Sequence, residues 1–120
     1  MSELHRLDTG PRFSEAVVHR GVVYLAGQVP EEDALGSVRE QCRSVFAQIS
    51  AHLERCGSNA SRILQMQIFL TDIRHIAEMN AAFEAWMPAG CAPARATVAC
   101  TALADPRWVV EVVCTAATED

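Results

Sequence analysis

Lysine is absent from this chain: all ten basic residues among its 120 are arginines. No side-chain amine can therefore serve as a Schiff-base nucleophile, anchor pyridoxal phosphate or complete a P-loop. Positive charge is scarce as well. Fifteen acids outnumber the ten arginines, and the net charge of −5 argues against a nucleic-acid groove, which needs clustered cations to displace phosphate counterions. Apolar runs long enough to span a membrane are missing, and the opening MSELHRLDTG lacks the apolar stretch of a secretory signal, so a cytoplasmic protein with no membrane association is expected. The five cysteines, at positions 42, 56, 91, 100 and 114, show no CxxC and no Cys/His metal spacing, which suits free thiols in a reducing compartment. His5, His19, His52 and His75 are scattered without HxH or HExxH spacing, so no metal site is expected. Gly27-Gln28 follows a strand-like run but belongs to no GxGxxG, which removes a dinucleotide fingerprint.

What is present is apolar material for one core: half of the residues are hydrophobic, and the length suits a single domain over residues 1–120. Domains of this size bury a limited share of their surface and often complete their cores by association. Residues 15–19 and 22–26 are β-rich runs separated by Arg20-Gly21, a hairpin signature. Ser37 and Glu40 have capping-box spacing, and Val38, Cys42, Val45, Ile49, Leu53 and Cys56 then recur at steps of three and four up to Gly57. This predicts a long amphipathic helix with Arg39, Arg43, Gln48 and Glu54 on its wet face. Residues 62–70 alternate like a central strand, with Leu64, Met66, Ile68 and Leu70 on one face and Ile63, Gln65, Gln67 and Phe69 on the other. Asp72 can cap a second helix carrying Ile73, Ile76, Met79, Phe83 and Trp86 until Pro88. After a loop at 89–93, strands are expected at 94–101 and 108–116, joined by a turn around Asp105-Pro106. The order β-β-α-β-α-β-β gives an α+β fold with two helices on one face of a mixed sheet. Its other face, which also carries apolar residues, would need a partner.

Two charges stand alone in apolar strands. Arg95, directly after Pro93-Ala94, shares a strand face with Thr97, and its planar fork can hold a carboxylate through two charge-assisted bonds. A guanidinium paired with a neighbouring acid, or reaching to solvent, is the plainer alternative. Glu111 is the only charge in WVVEVVC. A carboxylate there is paired, for example with an arginine such as Arg95 across the sheet, or available as a general acid or base, and both hold at once if an arriving substrate carboxylate breaks or shares the pair. Asn80 interrupts the second helix beside Met79, where its amide can orient water, brace the next loop or simply face solvent. No histidine adjoins Cys91, Cys100 or Cys114, which read as packing residues.

The stretches FSEAV (13–17), VYLAGQVP (23–30), FLTD (69–72) followed by Met79-Asn80, PARATV (93–98) and Val110-Glu111-Val112 resemble, in order, the RidA (YjgF-type) family of reactive imine deaminases. The resemblance spans nearly the whole chain. It implies a chorismate-mutase-like protomer, a homotrimer with a cleft at each subunit interface, and cofactor-free hydrolysis of 2-imino acids or their enamine tautomers to 2-oxo acids and ammonia. By that likeness Arg95 clamps the substrate carboxylate and Glu111 positions or activates water. Backbone near Gly27 and Thr97 supplies hydrogen bonds, and Asn80 supports the pocket. Many relatives carry tyrosine, serine and cysteine where Phe13, Ala26 and Thr97 fall here, so this lining loses two hydroxyls. Larger or more apolar imino acids are therefore expected to be accepted at least as well as 2-aminoacrylate. The loop before Arg95 is also shorter than in familiar members. The rival reading is a non-catalytic trimer that binds a small carboxylate for sensing or regulation. RNA cleavage, attached to the family by name, fits the acidic charge least.

Overall fold

The structure, a computed structural model, describes residues 3–119. Three strands, β1 (His5–Leu7), β2 (Ala16–His19) and β3 (Val22–Leu25), precede α1 (Val38–Arg55), β4 (Ile63–Leu70), α2 (Ile76–Trp86), β5 (Ala94–Ala99) and β6 (Val110–Ala117). They form one six-stranded sheet in the order β1-β2-β3-β6-β4-β5, antiparallel except for the β4–β5 pair. This is the expected α+β class with one more strand: β1, three residues long, is too short to show an alternation. Among the described residues no helix is long and apolar enough to cross a membrane.

Local chemistry sets the elements. Arg20 and Gly21, at φ 51° and 78°, are both left-handed, as the two-residue turn between right-twisted strands requires. At α1 the Ser37 hydroxyl accepts from the Glu40 N–H, and the Glu40 carboxylate accepts from the Ser37 N–H, each at 3.1 Å. The predicted capping box is formed. Cys42, Val45, Ile49 and Leu53 of the α1 stripe are buried, with Val38 and Cys56 half-buried at its ends. They are joined by Phe46 and by Gln41, whose amide nitrogen donates to Arg107 O at 3.1 Å while its oxygen accepts from Val109 N–H at 2.8 Å. That one side chain fastens the 100–109 connection to the helix. Arg107 adds ion pairs to Asp105 and Glu32, both 2.7 Å, and its guanidinium pulls the Asp105 carboxyl down to about 2.

The helices cover one sheet face, where Met66, Ile68 and Leu70 of β4 and Val110, Val112, Cys114 and Ala116 of β6 are buried. The other face presents Gln65, Gln67, Tyr24 and Val98 to solvent. Several expectations are corrected. A bulge between Ile63 and Gln65 breaks the alternation, so Ile63 is buried and Leu64 is 51% exposed. Asp72 caps a short 3₁₀ turn ahead of α2, which leaves Ile73 and Ile76 outside and narrows the buried stripe to Met79, Ala82 and Phe83. Gln48 does not simply face water, since its amide donates to Val29 O at 2.7 Å. The last two strands are not neighbours: β6 enters between β3 and β4, and β5 takes the outer edge.

Candidate functional site

Arg95 lies opposite Met66 and Thr97 opposite Ile68, so both project from the edge strand β5 toward the helical layer. There α2 supplies their surroundings. Arg95 Nη2 donates to Asn80 Oδ1 at 2.8 Å, Nη1 lies 4.0 Å from Met79 Sδ, and Cζ sits 4.8 Å from the centroid of the Phe83 ring. Asn80 thus orients a guanidinium. The Thr97 hydroxyl oxygen is buried and finds no hydrogen-bond partner among the described residues. An unmet buried hydroxyl costs about 1–3 kcal/mol, so this oxygen is short of a partner in the single chain.

Glu111 pairs with Phe69, which in turn pairs with Val98, and this row faces away from the helices. Its carboxylate packs on Gly27: a Cβ at position 27 would fall on Oε2 and lie 2.9 Å from Cδ. Gly27 is needed here for close approach, the reading favoured by a glycine at a strand exit. The segment carrying it is held on several sides. Gln28 and Val112 exchange backbone bonds of 2.8 and 3.0 Å, and the Gln28 amide, 2% exposed, donates to Glu15 Oε1 at 2.7 Å and Ala26 O at 3.0 Å. His52 Nε2 stands 3.6 Å from the same Glu15 oxygen. The Ala26 N–H donates to Glu15 O at 2.9 Å, and Phe13, two residues before Glu15, is 62% exposed. Little in the sequence marks Gln28 and Glu15 as parts of this support; the one signal is a glutamine directly after the strand-end glycine.

The expected residues therefore gather in two clusters, Arg95 with Asn80 and Thr97, and Glu111 with Gly27, Ala26 and the Phe13 loop. An ion pair between Arg95 and Glu111 across the sheet does not form. The two project from opposite faces, two strands apart and offset by three residues along β4, which strand spacing and rise put at about 14 Å between Cα atoms. Among the described residues nothing hydrogen-bonds to the Glu111 carboxylate, which leaves it open to a ligand. Burial pushes the Cys42 and Cys114 thiols up, to about 11 and about 12, so neither supplies a thiolate near neutral pH.

The endoribonuclease L-PSP family model matches residues 3–118, which covers both clusters. The chain belongs to the RidA/YjgF family. It is 44% identical over 113 residues to the RutC family protein YoaB of Escherichia coli, covering 93% of this chain and 96% of that one. A RutC family protein of Haemophilus influenzae is 41% identical over 110 residues, covering 92% and 94%. Among solved structures, a YjgF family member from Neisseria meningitidis superimposes with a TM-score of 0.93 at 42% identity, covering 98% and 97% of the two chains. The RidA-like fold thus rests on near-complete overlap as well as on topology.

Proposed function

We propose that this RidA-family chain hydrolyses reactive 2-imino acids and their enamine tautomers to 2-oxo acids and ammonia, in clefts between the subunits of a homotrimer. The observation that carries the reading is the pair of preset half-sites: a guanidinium held, among the described residues, by uncharged groups, and a carboxylate braced on Gly27 that none of those residues hydrogen-bonds. Since one chain turns them to opposite sheet faces, a second copy would bring its Glu111 to the first copy's Arg95. The helix-free face, where Tyr24 and Val98 are 49% and 46% exposed beside polar Gln65 and Gln67, suits such association.

In this cleft Arg95 grips the substrate carboxylate and fixes the imine carbon, and Thr97 donates its unmet hydroxyl. The neighbouring Glu111 accepts a proton from water as the oxygen attacks the imine carbon and passes it to nitrogen, giving a carbinolamine. It then takes the carbinolamine hydroxyl proton as the carbonyl forms and delivers it to nitrogen as the C–N bond breaks and ammonia leaves. One water is consumed, and no redox change or cofactor is required. A cytoplasmic setting and the absence of nucleic-acid and membrane partners belong to the same reading. RNA cleavage, the activity in the family model's name, is disfavoured because Arg55, Arg74 and Arg107 are each already paired with aspartate or glutamate.

The direct test makes imines with an amino-acid oxidase and traps what survives as semicarbazones. The protein should suppress the trapped product, with the imines of leucine and phenylalanine consumed at least as well as that of alanine. No suppression across the three would refute the deaminase reading and favour a carboxylate-binding module; a clear preference for the smallest would sink only the size expectation. Gly27→Ala provides a geometric check. The new methyl displaces the flexible end of Glu111 and leaves an ordinary backbone conformation, so the melting temperature should barely move while kcat drops by about ten- to hundredfold. Equal losses of stability and activity would refute the close-approach argument.

A further inference from the structure

We infer that Phe83 is a positioning residue for Arg95, its ring face setting the guanidinium plane so that the free edge of the fork meets a carboxylate. The inference rests on Arg95 being the carboxylate anchor of the proposed site. Arg95 stands on an exposed edge strand, where a long side chain would ordinarily sample many rotamers. Here Cζ lies 4.8 Å from the Phe83 ring centroid, inside the roughly 6 Å range in which a ring face attracts a cation. Phe83 is itself a firm platform. It is 6% exposed and meets Phe46 and Trp86 edge-on at 5.8 and 6.0 Å, while those two rings stack at 4.7 Å.

The choice of neighbours separates Arg95 from other ordered arginines of the chain. Arg55, Arg74 and Arg107 are held by carboxylates, and Arg62 by the carbonyls of Ala117 and Thr118. Arg95 is held by an amide oxygen, a thioether and a ring face, none of which carries a charge. Asn80 occupies a single N–H of the five-donor fork, so the side chain is ordered while its positive charge and most of its donors stay unspent. A carboxylate brace would have ordered it equally well and neutralised it.

The test replaces Phe83 site-specifically with 4-fluoro- and 3,5-difluorophenylalanine, which weaken the ring's attraction for cations while nearly keeping its volume, alongside Phe83→Leu. The readouts are the side-chain nitrogen and Hε NMR shifts of Arg95, the Kd for 2-oxobutanoate, and KM and kcat for imine hydrolysis. Kd and KM should rise in step with fluorination, to about two- to fivefold, with kcat nearly constant and the Arg95 Hε signal moving as the ring contact loosens. Unchanged Kd, KM and Arg95 shifts across the series would overturn the inference while leaving imine hydrolysis intact. Absence of hydrolysis in the unmodified protein, with 2-oxobutanoate binding still weakened by fluorination, would instead remove the deaminase reading and keep the inference. No binding of 2-oxobutanoate by the unmodified protein would defeat both.

Discussion

Glu111→Gln is expected to lower kcat for imine hydrolysis by about 10²–10⁴-fold, the usual contribution of a positioned proton-transfer group. Glutamine keeps the shape of the side chain and its contact with Gly27, but its amide can neither take a proton from water nor return one to nitrogen. Because the carboxylate makes no hydrogen bond among the described residues, its neutralisation orphans no partner, and the fold should melt near the native temperature. Binding of 2-oxobutanoate should survive. A kcat within about threefold of native would remove Glu111 from the proton-transfer role.

Arg95→Ala should fail in the opposite pattern. Two charge-assisted bonds to a carboxylate contribute about 1.5–3 kcal/mol each, and allowing for partial hydration of an edge-strand site the expected loss is about 10²–10³-fold in kcat/KM. Binding of 2-oxobutanoate should disappear with it, measurable by calorimetry. Arg95→Lys should recover little, since a point charge offers no parallel fork and cannot lie flat on Phe83 while bonding Asn80. Retention of activity in Arg95→Ala would move the carboxylate anchor elsewhere.

Much of the fold was legible where one short-range force decides it. The capping box and the i, i+3, i+4 stripe located α1, and Arg20-Gly21 located the hairpin, because a helix start and a tight turn are settled within a few residues. Strand neighbours are not settled that way. The insertion of β6 between β3 and β4 depends on contacts far apart in sequence, and the bulge at Leu64 reverses an alternation that continues unbroken on paper. The site divides along the same line. Arg95 and Glu111 stood out as lone charges in apolar strands, but their placement on opposite faces follows only from their registers against β4. Gln28 and Glu15 left little trace because their partners are brought together by tertiary packing, and Phe83 was indistinguishable from an ordinary core residue of the α2 stripe.

The opposed faces of Arg95 and Glu111 also bear on the life of a single chain. Under the proposed mechanism an unassembled subunit holds the grip for a carboxylate on one side and the proton carrier on the other, and so works as a binder and not as a catalyst. Turnover then becomes a property of the assembled population, absent from newly made chains and extinguished by dilution below the dissociation constant of the assembly.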